Sequence, residues 1–263
     1  MSAGTEQLNL SDEERERFGD DPRALFAENL KITQAKIEAA CARAGRDPSS
    51  VRLLPISKTV PAHLLRLAYD AGITTFGENK IQEAQEKHEA LGELPVSFAI
   101  VGHLQTNKAR HLARFASEFH ALDSHRLANE LNRRLEGEGR DVDVYVQVNT
   151  SGEETKFGLA PEDALEFIAE LGDYPRLKLR GLMTLAIFSD ERELVRACFQ
   201  RLRGLRDEAL KINPGAGGLS MGMSGDFELA IEEGATVVRV GTSIFGRRPG
   251  SDSHYWPGLI PER

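Results

Sequence analysis

From residue 51 onward the chain alternates short apolar or β-branched runs with amphipathic helical segments. This alternation is typical of βα units, whose strands assemble into a parallel sheet with the helices outside it. The runs predicted to be strands cover residues 51–57, 73–76, 98–101, 119–122, 142–148, 179–184, 218–221 and 237–240. Eight units in about 200 residues predict an α/β fold with a single (β/α)8 TIM barrel, and an open doubly wound sheet is the competing fold. Pro55 argues mildly against the first strand, because proline cannot donate a hydrogen bond to a neighbouring strand.

Two extra helices are predicted before the barrel. Ser11 and Glu14 have the spacing of a capping box, in which each residue bonds the backbone of the other. Asp21 before Pro22 supplies an N-cap followed by a proline in the first turn of a long helix.

The chain is predicted to form one domain, because no linker rich in Pro, Gly or Ser divides it. We expect an N-terminal helical extension over residues 1–49, a barrel over 50–249 and a tail over 250–263. Trp256 is the only tryptophan, and we expect it to pack the tail against the surface.

The composition is that of an ordinary globular protein, with 263 residues, 40% apolar and 28% charged side chains. The formal net charge of −8 argues against nucleic acid or an anionic membrane as the main partner. The first residues lack the basic and apolar regions of a secretory signal, and no apolar stretch is long enough to span a bilayer, so we predict a cytoplasmic protein. Cys41 and Cys198 have no metal-ligand spacing, so we predict no metal and expect both to be buried as small apolar side chains.

Lys58 closes the first predicted strand at a strand-to-helix turn. Barrel proteins place their chemistry at the carboxyl ends of their strands. A lysine amine there can form a Schiff base with an aldehyde. The alternative is an ordinary surface lysine, and position alone does not decide between the two.

Polar residues at three other strand ends are weaker candidates. Glu78 and Asn79 follow the second strand, where they either aim polar groups across the barrel mouth or cap the next helix. His103, after the third strand, is a candidate general base, although solvated loop histidines are more common. After the fifth strand, Asn149 is expected to reach inward, and Lys156 is a second candidate amine.

The loops after the seventh and eighth strands, at residues 220–226 and 239–243, are rich in glycine and small hydroxyl residues. Such loops let backbone N–H groups approach an anion closely, and many barrels bind phosphate there. Arg239 shares a strand face with Gly241 and is expected to point into the mouth. A Schiff-base lysine combined with a phosphate site indicates pyridoxal 5′-phosphate (PLP), which carries both an aldehyde and a phosphate. A sugar-phosphate aldolase combines the same features and stays open on these residues alone.

Six short motifs run along the chain: ISKT at 56–59, FGEN at 76–79, GHLQTNK at 102–108, GLM at 181–183, SMGMS at 220–224 and RVGTSIFG at 239–246. In kind and order they resemble the pyridoxal phosphate homeostasis proteins, also called proline synthase co-transcribed proteins. The resemblance implies a single barrel similar to the N-terminal domain of alanine racemase. The chain departs from the family pattern at 97–99, where an aromatic residue and a histidine are usual, and at Gly225, where an acidic residue is frequent.

The resemblance also implies roles for individual residues. PLP would form a Schiff base with Lys58, Asn79 would line the pocket, and Arg239 would face the pyridine nitrogen. The residues that would hold the phosphate are Ser224, Gly241 and Thr242. The implied function is to carry, buffer or deliver PLP in support of intracellular PLP homeostasis. We also expect apo PLP-dependent enzymes as recipients and a monomer, and we predict no catalytic residue.

A PLP-dependent amino-acid racemase is the alternative function. Racemisation needs an acid/base residue on each face of the substrate α-carbon. Related racemases gain one from a further β domain, for which the roughly 20 residues after the last strand leave no room. If Arg239 faces the pyridine nitrogen, protonating that nitrogen would bring two cations together, so the neutral ring is favoured. A neutral ring is the weaker electron sink, and we therefore predict a binding protein without established turnover.

Overall fold

Eight parallel strands form the centre of the structure, a computed structural model that describes residues 9–246. The strands are β1 (Arg52–Pro55), β2 (Thr75–Glu78), β3 (Ser97–Ile100), β4 (Glu118–Leu122), β5 (Val142–Gln147), β6 (Leu177–Met183), β7 (Gly218–Ser220) and β8 (Val237–Val240). They bond in the order β1-β8-β7-β6-β5-β4-β3-β2, and a parallel bridge between Ile56 and Gly77 brings the two end strands together. The barrel is nearly closed, so the predicted TIM barrel is confirmed and the open doubly wound sheet is wrong.

Helices connect consecutive strands around the outside of the sheet, as parallel pairing requires. Two helices precede the barrel, α1 (Asp12–Phe18) and α2 (Pro22–Arg43). The others are α3 (Ala62–Asp70), α4 (Ile81–Leu91), α5 (Ala109–Phe115), α6 (His125–Glu138), α7 (Ala164–Glu170), α8 (Arg192–Ile212), α9 (Phe227–Glu232) and α10 (Thr242–Phe245).

The two N-terminal helices begin at the predicted caps. Ser11 N donates to Glu14 Oε2 at 2.9 Å and Glu14 N donates to Ser11 Oγ at 3.2 Å, which completes the capping box of α1. Asp21 Oδ1 accepts from Ala24 N at 3.0 Å at the start of α2. Helix α2 packs against α3, α9 and α10, where Phe26 meets Phe245 edge to face with ring centroids 5.3 Å apart. The extension is therefore an integral part of the barrel's outer layer.

Pro55 is accommodated at the end of β1. Arg52 N donates to Thr236 O at 2.8 Å and Ile56 N donates to Val240 O at 2.9 Å, so the even-numbered residues of β1 direct their N–H groups toward β8. By alternation the nitrogen of Pro55 points toward β2, where pairing begins only at the Ile56–Gly77 bridge. The missing donor therefore removes no bond between β1 and β8.

Cys41 in α2 and Cys198 in α8 are free and buried, as predicted. Within the described part of the chain, no helix is long and apolar enough to cross a bilayer. The expected packing of Trp256 lies outside the described residues, and the division of the chain into extension, barrel and tail stays a prediction.

Candidate functional site

Lys58 lies just beyond the carboxyl end of β1 and is only 4% exposed, so the surface-lysine alternative is wrong. The backbone before it bonds to both neighbouring strands: Ile56 N donates to β8, and Ser57 N donates to Gly77 O of β2 at 2.9 Å. Thr59 follows in the left-handed region, at φ 66°. That conformation costs a residue with a side chain of order 1–3 kcal/mol, so the surrounding contacts must hold it.

Part of this support comes from four polar residues between the barrel and α4, which we call the Lys87 cluster: Ser57, Glu78, Glu83 and Lys87. The Lys87 amine donates to Ser57 O at 2.7 Å, Glu78 Oε1 at 2.7 Å and Glu83 Oε1 at 2.6 Å. Glu83 Oε1 also accepts from Thr59 N at 2.6 Å. The cluster thus binds the backbone on both sides of Lys58 and fixes the point from which its side chain starts.

The position of Glu78 corrects the expectation that it points across the barrel mouth. Its neighbour Gly77 faces the barrel, where a Cβ would lie 2.3 Å from Ile56 Cδ1, so Glu78 faces α4 instead. Glu78 is fully buried, and its Oε1 accepts from Ser57 Oγ at 2.6 Å. Burial raises the pKa of Glu78 to about 7, although Lys87 opposes that rise.

The loops after β7 and β8 meet at three of the predicted phosphate-binding residues. Gly241 N donates to Ser224 Oγ at 3.2 Å, and Thr242 Oγ1 donates to the same oxygen at 3.4 Å. A Cβ on Gly241 would lie 3.1 Å from Ile56 O, so a side chain there would press on the β1 backbone that leads to Lys58. Gly222 has φ +93°, and a Cβ on it would lie 2.6 Å from the Cβ of Ala230, so this turn requires glycine.

Arg239 points inside the barrel and is 4% exposed. Its Nη1 donates to Ser220 Oγ at 2.7 Å and its Nη2 donates to Thr184 O at 2.8 Å. Burial lowers its pKa to about 10, with Asp226 opposing, so the guanidinium stays charged at neutral pH. Arg239 pairs in register with Leu54, which shares a strand face with Lys58, so both cationic side chains start from the same face of the sheet.

Asp226 is a member of the β7 loop that sequence reasoning left without a role. Its Oδ1 accepts from Met223 N at 2.5 Å, and burial raises its pKa. The family often has an acidic residue directly after the SMGMS motif, and here Gly225 occupies that position and Asp226 the next one. This acidic residue close to the expected position was the signal that could have singled out Asp226.

Asn79 is half-buried at the end of β2, close against the third strand end. A Cβ on Gly102 would lie 2.2 Å from Asn79 O, so only glycine permits this approach. Asn149, by contrast, does not reach inward as expected. Its Nδ2 donates to Glu153 O at 2.8 Å and its Oδ1 accepts from Gly152 N at 3.2 Å, so it organises its own loop.

Two further candidates lie on the rim of the mouth. Lys156 donates to Ala186 O at 2.9 Å and forms an ion pair with Glu153. His103 is exposed, stacks on Phe157 with ring centroids 3.9 Å apart, and lies 3.6 Å from Asp123 Oδ2. His103 therefore lies on the loop after β3 and Lys156 on the loop after β5. The other predicted site residues lie at or just beyond the ends of β1, β2, β7 and β8: Lys58, Asn79, Ser224, Arg239, Gly241 and Thr242.

Sequence reasoning also missed His120, whose side chain is completely buried inside the barrel. It lies on β4 two residues after Glu118, and the two side chains contact each other, with His120 Nε2 2.9 Å from Glu118 Oε2. Two titratable residues with strand spacing on a predicted core face were the signal that would have identified them. His120 lies outside all six motifs, which is why the resemblance did not supply it.

The nearly closed parallel barrel, the buried lysine after β1 and the small-residue loops after β7 and β8 are the features to compare with known proteins. The family model described as alanine racemase, N-terminal domain, matches residues 29–249. A pyridoxal phosphate homeostasis protein of Aquifex aeolicus is 43% identical over 222 residues, which cover 84% of this chain and 97% of the relative. The chain belongs to the pyridoxal phosphate homeostasis protein family.

Solved structures agree with this assignment. An unknown protein from Bifidobacterium adolescentis is 33% identical, with a TM-score of 0.81 over 91% of this chain and 99% of the other. PipY of Synechococcus elongatus PCC7942, in a structure with PLP bound, is 34% identical, with a TM-score of 0.74 over 84% of this chain and 100% of PipY.

Proposed function

We propose that the protein binds PLP through a Schiff base on Lys58, carries or buffers it, and so supports PLP homeostasis in the cytoplasm. The observation that carries the proposal is that a buried lysine, a buried arginine and a cluster of backbone and hydroxyl donors meet at one barrel mouth. The PLP-bound structure of PipY, a relative of similar length, supports it.

The residues at the mouth fit the three chemical parts of PLP. When bound, the cofactor supplies an aldehyde that reacts with amines and a ring that withdraws electrons. The Lys58 amine fits the aldehyde, and the Ser224 hydroxyl with the Gly241 N–H and the Thr242 hydroxyl fits the phosphate. Arg239 fits the pyridine nitrogen, and Asn79 lines the pocket between β2 and β3.

The charges at the barrel mouth favour a protein that carries PLP without catalysing a reaction on it. Arg239 stays charged at neutral pH, so a proton on a pyridine nitrogen beside it would meet a second buried cation. The neutral ring stabilises a carbanion poorly, which disfavours racemisation of an amino acid. We propose a monomer that delivers PLP to apo PLP-dependent enzymes.

The proposal is tested by loading the protein and following where the cofactor goes. Protein incubated with PLP is expected to become yellow and, after borohydride reduction, to gain one pyridoxyl mass on Lys58. An added apo-enzyme is expected to gain activity faster than an aldehyde-trapping reagent removes PLP from the protein alone. Colourless protein without added mass would contradict binding, and rapid racemisation of an L-amino acid would favour the racemase.

Thr242→Val is expected to weaken PLP retention about tenfold, because it removes one hydrogen bond to the phosphate while keeping the side-chain volume. The measurement is the dissociation constant from absorbance titration. Thr74→Val is the control, since Thr74 is exposed before β2 at the opposite end of the barrel. Equal affinity in the Thr242 variant and the wild-type protein would remove this hydroxyl from the phosphate site.

A further inference from the structure

A series of hydrogen bonds crosses the barrel interior from the start of β4 to β8. We call Glu118, His120, Ser220 and Arg239 the cross-barrel chain. His120 bonds on both sides: its Nε2 lies 2.9 Å from Glu118 Oε2 and its Nδ1 lies 2.9 Å from Ser220 Oγ. Arg239 Nη1 then donates to the same Ser220 oxygen at 2.7 Å. The chain links the amino end of the barrel to the arginine at the proposed cofactor site.

The two end groups fix the direction of every hydrogen bond in the cross-barrel chain. A guanidinium can only donate, so Ser220 Oγ accepts from Arg239. A carboxylate can only accept, so His120 carries a proton on Nε2. A neutral His120 then accepts on Nδ1, and the Ser220 hydroxyl donates to it. With Glu118 as the anion, Arg239 as the cation and a neutral His120, every hydrogen bond of the cross-barrel chain has one donor and one acceptor.

The surroundings keep His120 neutral and Glu118 charged. Burial lowers the pKa of His120, and the charges of Arg239 and Arg52 add to this against the opposing effect of Glu118. Burial alone would raise the pKa of Glu118, but hydrogen bonds from His120 and Arg52 outweigh it and lower the pKa to about 2. The Tyr145 ring packs on His120 with centroids 4.2 Å apart and restrains the imidazole.

We propose that His120 is a positioning residue that, through Ser220, orients Arg239 toward the pyridine nitrogen of bound PLP. This inference rests on the proposed function. Ser220 Oγ and Thr184 O accept from two different nitrogens of the guanidinium, so together they set its plane. Without His120, the Ser220 hydroxyl loses the acceptor that directs its own proton away from Arg239. The serine can then rotate, and the arginine loses a fixed partner.

The first test needs no cofactor. Protein labelled with nitrogen-15 histidine is expected to show His120 near neutral pH as a neutral imidazole protonated on Nε2. His120→Asn removes the signal and so identifies it. A charged imidazole, or a neutral one protonated on Nδ1, would overturn the proposal.

The second test follows the bound cofactor. His120→Leu has no acceptor for Ser220, and we expect it to shift the absorption band of bound PLP and to speed PLP release about tenfold. His120→Asn places an amide oxygen near the position of Nδ1, and release is expected to stay within about threefold of the wild-type rate with an unshifted band. Urea unfolding midpoints of both variants separate this effect from a loss of stability.

Glu118→Gln keeps a polar side chain at the amino end of the barrel. It is the variant to measure if His120→Leu does not fold. It is expected to shift the band in the same direction, because the imidazole then lacks its fixed anionic partner. An unchanged band and release rate in Glu118→Gln and in folded His120→Leu would overturn the inference while leaving the proposed function intact. A wild-type protein that takes up no PLP would overturn both.

Discussion

Lys58→Ala is expected to abolish covalent capture of PLP. The Lys58 amine is the group that would form the Schiff base, and the phosphate contacts that remain would hold the cofactor only noncovalently. After incubation with PLP and borohydride reduction, the variant should gain no pyridoxyl mass, and retention should fall at least about hundredfold. Intact mass and peptide mapping measure the first effect, and gel filtration of the loaded protein measures the second.

The control for this experiment is Lys80→Ala, because Lys80 is an exposed lysine at the start of α4, close to the end of β2. It is expected to be labelled like the wild-type protein. Pyridoxyl mass on Lys156 of the Lys58 variant, at the wild-type level, would move the anchor to the β5 loop and contradict the assignment of Lys58.

Lys87→Met is expected to lower the free energy of unfolding by about 3–5 kcal/mol near neutral to alkaline pH, the typical cost of leaving a buried charge without its partner. Lys87 is 4% exposed, and its amine binds the carboxylates of Glu78 and Glu83 and the Ser57 carbonyl. Urea unfolding measures the loss. Lys36→Met, on an exposed position of α2, is the matched control and is expected to change little.

The loss in Lys87→Met should shrink as the pH falls. Folding raises the pKa of Glu78 from 4.5 to about 7, so this carboxyl stabilises the folded state below 4.5 and loses that contribution as the pH rises through 7. Removing Lys87 takes away an interaction that lowers this pKa, so the variant binds the proton more firmly. Its deficit should be smaller at pH 5 than at pH 8, and Glu78→Gln in the same chain should restore part of the stability. A deficit independent of pH would contradict this account.

The barrel was predictable because buried parallel strands appear as short apolar runs between amphipathic helices. The residues at which individual strands begin were harder to predict. Helix α3 closes through Gly72, at φ +101°, and Ile73 N still bonds back to Ala68 O, which delays β2 to Thr75. Strand β6 starts at Leu177, two residues earlier than expected, because its exposed residues Lys178 and Arg180 alternate with buried ones and break the apolar run.

The predicted cofactor-binding residues came from local motifs at strand ends, which is why Lys58 and the β7 and β8 loops could be proposed from the sequence. Their roles stay predictions, although the structure brings them to one mouth. The supporting residues lie far from them in sequence. Lys87 sits in a helical segment that looks solvated, and only the packing of α4 on the end of β1 buries its amine. Glu78 had two predicted alternatives, across the barrel mouth or as a cap of the next helix, and it instead bonds Ser57 and Lys87, which the sequence does not place beside it.

Arg17 of α1 reaches across to the turn that follows Lys58, where its Nη1 donates to Thr59 O at 2.8 Å and its Nη2 donates to Thr59 Oγ1 at 3.2 Å. The family model begins at residue 29, so α1 lies outside the residues that this model matches. Helix α1 thus helps to hold the turn that follows Lys58. Substitution of Arg17 is therefore expected to loosen the turn beside Lys58 while leaving all six motifs untouched.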